Sequence, residues 1–188
     1  MSSHHVIREG QEPAIYLRNS SSVILKVLHN LLEWSPYLIV NSDTLVFCKD
    51  HGIKPDAIVC ETENEVDFFI EIIPHLDTLN DLDQIKKWLK SRNCDQLLIF
   101  EDMNNLKQLI STDPLFGVID RNIKYSMIRE RILKWFPEGQ KLFLVNTESK
   151  QNMEFTNLKK NNQALIVINT GLVNIHSNNP FYLGELLE

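Results

Sequence analysis

Over the first hundred residues, short apolar runs rich in β-formers alternate with longer stretches whose apolar residues recur every three or four positions. This alternation constrains the fold more than any other feature of the chain, because amphipathic helices of this kind need a sheet to cover. Ala14-Ile15-Tyr16-Leu17 reads as a buried strand. Val23, Val27, Leu28, Leu31 and Leu32 then form one helical stripe, with Ser20, Ser21 or Ser22 as N-cap and Pro36 as its end. Tyr37–Val40 is a second strand, Ser42–His51 a helix stopped by Gly52, and Ala57–Cys60 a third strand. Glu65–Ile73 fits the helix and strand periods about equally poorly; its end, Ile70–Ile73, is read as a strand. Asp81 is expected to cap a helix over Leu82–Arg92, with Leu82, Ile85, Trp88 and Leu89 on one face, before Gln96–Phe100 returns as a strand and Asn104–Ile110 makes a short helix. The expectation is an open parallel α/β, Rossmann-like sheet.

From about Gly117 the pattern changes. Val118-Ile119, Tyr125–Ile128, Lys141–Val145, Met153–Leu158, Leu165–Ile168, Leu172–Ile175 and Tyr182–Leu187 are short strand-like runs punctuated by Gly, Pro and Asn. Only Met127–Trp135 looks helical among them. A division into residues 1–118 and 119–188 follows, with a smaller antiparallel β-sandwich as the second domain.

Composition bounds the function classes. The 188 residues carry 19 Lys and Arg against 25 Asp and Glu, a net charge of −6, which gives no global attraction to nucleic acid or an anionic membrane. No apolar stretch approaches the ~20 residues of a membrane helix. Met1–Gly10 lacks the apolar core of a secretory signal, so a cytoplasmic protein is expected. The leader up to Glu12 reads either as a mobile tail or as a segment packed at an interface. Cys48, Cys60 and Cys94 are odd in number and set among apolar neighbours, pointing to buried or half-buried thiols rather than to disulfides or zinc ligands.

Phosphate-binding glycine loops, HExxH and GxSxG are all absent from the sequence; His4 and His5 are adjacent in the leader, where neighbours point apart, and the other four histidines are scattered. The feature with chemical content is acidic. Glu61 and Glu63 follow the third strand, at the carboxyl end where open α/β sheets place their ligands. Asp77 and Asp81 follow the next strand at the same edge. Together these carboxylates could hold a hard cation such as Mg²⁺, or simply form a solvated loop edge.

Three blocks carry a family resemblance. The leader Ser2-Ser3-His4-His5-Val6-Ile7-Arg8-Glu9-Gly10-Gln11-Glu12-Pro13, the block Leu31-Leu32-Glu33-Trp34-Ser35-Pro36 and the approach His51-Gly52-Ile53-Lys54-Pro55-Asp56-Ala57-Ile58-Val59 resemble a bacterial branch of the thiamine pyrophosphokinases. The likeness is strong over the first 60 residues and loose afterwards, reaching Gly171–Ile175. It implies a catalytic-type α/β domain, a thiamine-binding-type β-domain and a homodimer. It also implies Mg²⁺-assisted transfer of a pyrophosphoryl group from ATP to thiamine, giving thiamine diphosphate and AMP. Carried over by position, Ser42 and Asp43 would contact the nucleotide, and Glu61, Glu63 and Asp81 would be the Mg²⁺ ligands; no catalytic residue is assigned.

The departures cluster at the chemistry. The family's Asp-Gly falls on Ser42-Asp43, its Gly-Asp-Phe-Asp-Ser metal loop on Cys60-Glu61-Thr62-Glu63-Asn64, and its acidic stretch on Leu76–Asp81, where Asp81 alone clearly matches. Its glycine-rich loop with an Arg and an Asp-His pair falls on Glu101-Asp102-Met103-Asn104-Asn105, and its thiamine-lining Ser-Asn-Glu falls near Gln163–Ile166. The resemblance therefore implies a pyrophosphokinase-like protein with weak or lost catalysis; the alternative is a non-catalytic ligand-binding or assembly protein on the same fold.

Overall fold

The computed structural model describes residues 12–61, 69–75, 81–102, 105, 116–146, 153–161 and 164–187. It divides into two compact units, Met1–Asp102 and Met103–Glu188. The border expected at 118/119 would instead cut the strand Phe116–Asp120. The expected helix at 104–110, the leader and the first part of the ambiguous 65–73 segment lie outside the described residues.

In the first unit, β1 (Ala14–Leu17), β2 (Leu38–Asn41), β3 (Ala57–Cys60), β4 (Glu71–Pro74) and β5 (Leu97–Phe100) lie in the order β5-β1-β2-β3-β4. All four pairings are parallel. β1 and β5 are buried at every position, as near-continuous apolar runs must be when both sheet faces are covered. The helices are α1 (Leu25–Leu32), α2 (Ser42–Asp50), which packs on β2 and β3, and α3 (Asp81–Lys90), which packs on β4. The strand–helix alternation read from the sequence is present, including a strand at the end of the ambiguous segment.

Two expected caps are not: Asp81 is the first residue of α3 rather than the residue before it, and the serines do not cap α1. Ser20–Ser22 form a separate 3₁₀ turn, capped by the Asn19 side chain, and α1 starts only after Ile24, with no side-chain cap. The serines are consumed by this turn, which leaves the helix its apolar face as the reason to form. Gly52, at φ +66, ends α2, and the Ile53 N–H returns to the Cys48 carbonyl at 2.9 Å. Asp56 then accepts from the Leu38 N–H at 2.7 Å, while its own N–H donates to the Leu38 carbonyl at 2.8 Å. The Gly52–Asp56 block thus stops a helix and sets the β2–β3 register.

At the opposite end of α3, Trp88 stacks edge-on against Tyr37, with centroids 5.4 Å apart, and lies under the Arg92 guanidinium. Arg92 and the Trp88 indole both donate to Glu71, so Trp88 joins the helix to the start of β4. The Arg92 hydrogen bond holds the Glu71 carboxyl below its ordinary pKa. Cys48 and Cys94 are buried thiols and Cys60 a half-buried one; burial pushes the Cys48 thiol up to about 11.

The second unit is antiparallel among its described residues. β6 (Phe116–Asp120), β7 (Ile123–Ile128), β9 (Lys141–Asn146), β11 (Leu158–Asn161), β12 (Ala164–Val167) and β14 (Phe181–Leu186) form one sheet in the order β11-β12-β9-β14-β7-β6. β8 (Arg131–Phe136), β10 (Met153–Thr156) and β13 (Gly171–Ser177) form another, in the order β10-β13-β8. Phe136, Val173 and Ile175 from the smaller sheet pack with Leu142, Leu165, Val167, Phe181 and Leu183 from the larger one. The helix-like run 127–135 is the end of β7, a turn and most of β8, two strands that belong to different sheets; period-two alternation in β8 buries Ile132 and Phe136 to different degrees and leaves Leu133 and Trp135 outside. The run 153–158 breaks at Asn157, where a φ of +64 turns the chain from one sheet to the other. The Asn157 amide donates to the Asn169 carbonyl at 2.7 Å and accepts from the Asn169 N–H at 2.9 Å, stabilising the turn.

Gly184 stands where β14 passes the buried Tyr125 ring. A Cβ there would lie 2.5 Å from Tyr125 Cε1 and 2.9 Å from Ile123 Cγ2. Gly184→Ala is expected to destabilise the protein by roughly 1–3 kcal/mol through overpacking, measured by urea unfolding.

Candidate functional site

Two neighbouring groups of polar residues occupy the carboxyl edge of the parallel sheet. The first is organised by Asn41, the last residue of β2 and the N-cap of α2. Its side-chain oxygen accepts from the Thr44 N–H at 2.8 Å, and the Thr44 hydroxyl accepts from the Asn41 N–H at 3.0 Å, completing a reciprocal capping box. Both residues also tie β1 down. The Asn41 amide donates to the Arg18 carbonyl at 3.0 Å, and the Thr44 hydroxyl to the Leu17 carbonyl at 2.6 Å. These bonds satisfy carbonyls at the point where β1 leaves the sheet.

In front of this clamp lies a cavity of about 470 Å³. Ser42 and Asp43, from the first turn of α2, line it, as do Glu61 after β3, and His75 and Asp81 after β4. The structure therefore brings four of the five sequence-derived site residues, Ser42, Asp43, Glu61 and Asp81, to one cavity. Glu63 lies outside the described residues. Leu45, Val46, Ile58 and Val59 supply apolar wall, and Lys49 supplies a cation on α2.

The Asp81 carboxylate is engaged by His75 Nδ1 at 2.5 Å. This pairing was not foreseen from the sequence, in which His75 is one of four scattered histidines. A carboxylate that orients an imidazole has one oxygen committed to that role. Among the described residues, no three of His, Cys, Asp and Glu come together as a metal-binding group. Glu61 and Asp81 line the same cavity.

The second group sits between β1 and β5. Parallel register places Leu17 beside Phe100, and the N–H groups of Arg18 and Asn19 both donate to the Phe100 carbonyl. The next residue, Glu101, is only 3% exposed. Arg18 Nη1 donates to Glu101 Oε2 at 3.0 Å, and Asn19 Nδ2 to Glu101 Oε1 at 3.2 Å. The Asp102 N–H adds a bond to Oε1 at 2.9 Å. A buried carboxylate supported in this way is favoured by charge-assisted bonds that offset its desolvation.

Tyr16, on β1, has no exposed surface. Burial, then the nearby Asp81 charge, pushes its pKa well above the ordinary value, with Arg18 acting in the opposite sense. It stays a neutral phenol. Arg18, Asn19, Asn41 and His75 were all missed in the sequence. Their only signal is position, since each stands within two residues of the end of a strand.

With this geometry in view, comparison with solved structures identifies the fold. A thiamine pyrophosphokinase from Bacillus subtilis superposes with a TM-score of 0.61 at 12% identity, over 94% of this chain and 99% of that one. A thiamin pyrophosphokinase from Geobacillus thermodenitrificans gives 0.65 at 8% identity, over 93% and 97%. The Candida albicans enzyme gives 0.63 at 10%, over 94% and 90%. No protein-family model and no curated protein matches the sequence. The chain has the thiamine pyrophosphokinase fold, as the sequence blocks suggested. No helix among the described residues is long and apolar enough to cross a membrane.

Asn41 is the structural hinge of the site, since it serves as cap, strand end and β1 clamp at once. Asn41→Ala is expected to cost about 1–2 kcal/mol, the upper range for loss of an N-cap, read as a lowered urea midpoint with an unchanged slope.

Proposed function

We propose that this chain is a thiamine pyrophosphokinase-like protein in which pyrophosphoryl transfer from ATP to thiamine is weak or lost. The observation that carries this reading is the His75–Asp81 pair, which engages the acid that best matches the family's metal ligands. The buried Glu101 after β5 supports it, because an acid stands where the resemblance leads one to expect a phosphate-facing glycine loop. Transfer of a pyrophosphoryl group needs positive charge or backbone donors around the phosphates. In this reading any remaining Mg²⁺–nucleotide binding falls to Glu61, Glu63 and Asp81 as metal ligands, with Ser42 and Asp43 against the nucleotide. The first domain carries that site and the second is of the thiamine-binding type, in a cytoplasmic protein.

The purified protein, given ATP, Mg²⁺ and thiamine beside an active pyrophosphokinase, is expected to form AMP and thiamine diphosphate at least a hundredfold more slowly than the control, or not at all. Comparable rates would overturn the reading. Where metal-dependent nucleotide binding remains, Glu61→Gln combined with Glu63→Gln is expected to abolish it, as followed by calorimetry.

The assembly alternative is favoured by one surface. Trp135 and Leu172 are cross-strand partners on β8 and β13, and Leu133 shares their face; the three are 58%, 60% and 57% exposed. Apolar clusters left on an outer sheet face commonly mark protein contacts. In this reading the chain is a homodimer that uses that face. Sedimentation is expected to give a dimer for the natural chain and a monomer of unchanged melting temperature for Leu172→Glu; a natural chain that sediments as a monomer would remove the proposal.

A further inference from the structure

The group at the ends of β1 and β5 has the form of an occupied oxyanion site. In chain order, β1 to β4 extend the sheet in one direction, and β5 then adds on the other side of β1. The gap between the carboxyl ends of β1 and β5 is thus the topological switch point, where open parallel sheets receive ligands. Here the two strand ends supply three donors of different kinds: a guanidinium from Arg18, an amide from Asn19 and a backbone N–H from Asp102. They converge within 2.9–3.2 Å on the two oxygens of a single carboxylate. A guanidinium flanked by amide donors recognises planar or tetrahedral oxyanions in general. Glu101 is 3% exposed while the Arg18 side chain is 33% exposed, so the cation can be reached from solvent but its anion comes from within the chain.

We propose that Arg18, the Asn19 amide and the Asp102 N–H form an oxyanion-binding cradle whose resident occupant is the chain's own Glu101 carboxylate, which keeps phosphate groups out of the switch-point crevice. The strand register makes this occupant unavoidable. Leu17 opposite Phe100 puts residues 18 and 19 beside residue 101, and a glutamate at 101 needs no loop movement to reach them. A phosphorylated ligand must therefore displace a carboxylate already present at high effective concentration, and must do so against its negative charge. Removing the carboxylate leaves the donors in place.

The proposal stands on the cradle's geometry, and its readout needs neither thiamine nor turnover, so its failure is distinct from failure of the pyrophosphokinase reading. Binding of inorganic phosphate to the full chain is followed by ³¹P line broadening and calorimetry at constant ionic strength. The natural chain is expected to show no saturable binding at 1 to 10 mM phosphate, a range of about the weakest affinity such titrations resolve. Glu101→Ala is expected to bind phosphate at least tenfold more tightly, and adding Arg18→Met is expected to remove that gain. Glu101→Gln keeps the side-chain volume and loses the charge; it decides the matter where the alanine variant does not fold, with a gain of at least threefold expected. A folded Glu101 variant that binds no better than the natural chain overturns the proposal, as does a gain that persists with Arg18→Met.

Discussion

The parallel pairing of β1 with both β2 and β5 is the constraint on which the rest of the first unit depends. β1 lies inside the sheet, so its backbone groups are satisfied on both sides and its four residues are all buried. That pairing aligns the carboxyl ends of three strands at one level. Arg18 and Asn19 leave β1 there, Asn41 closes β2, and Glu101 follows β5. The Asn41–Thr44 clamp takes up the carbonyls of Leu17 and Arg18 just as the ladder ends. Polar side chains at this edge are therefore held in place by backbone geometry, and their contacts with one another follow from the register.

The elements themselves were legible because their signals are local. A four-residue apolar run, a helical stripe ended by Gly52 or Pro36, and a change to short alternating runs after Gly117 are each contained within a dozen residues. The misreadings share a physical cause. Ser20–Ser22 offered suitable caps, but a 3₁₀ turn capped by Asn19 claimed them first. Met127–Trp135 carries enough apolar residues for a helix, and only pairing with β14 in one sheet and β13 in the other makes it two strands. Asn157 interrupts an otherwise continuous run because its αL conformation lets two sheets share one chain.

The candidate site was legible only in part, for the same reason. Ser42, Asp43, Glu61 and Asp81 could be placed at the carboxyl edge because each directly follows or closely trails a strand. Their partners could not be placed. His75 meets Asp81 across six residues, but Glu101 meets Arg18 across 83, and nothing in one sequence states that β5 lies beside β1. Strand order is a property of the folded sheet, and the chemistry at a switch point is made of residues that strand order brings together.

The same separation explains how the fold persists at 8–12% identity to the compared enzymes. The bonds that hold β1, β2 and α2 together are made by Asn41, Thr44 and Asp56, and none of them requires a particular side chain at 61, 75 or 101. Loop residues that follow strands can vary at little cost to the core, provided a buried charge finds a partner. Glu101 found Arg18 and Asp81 found His75. Each pairing satisfies a charge locally and commits an acid of this edge to a partner within the chain, so the edge is held by its own side chains as well as by the strand register.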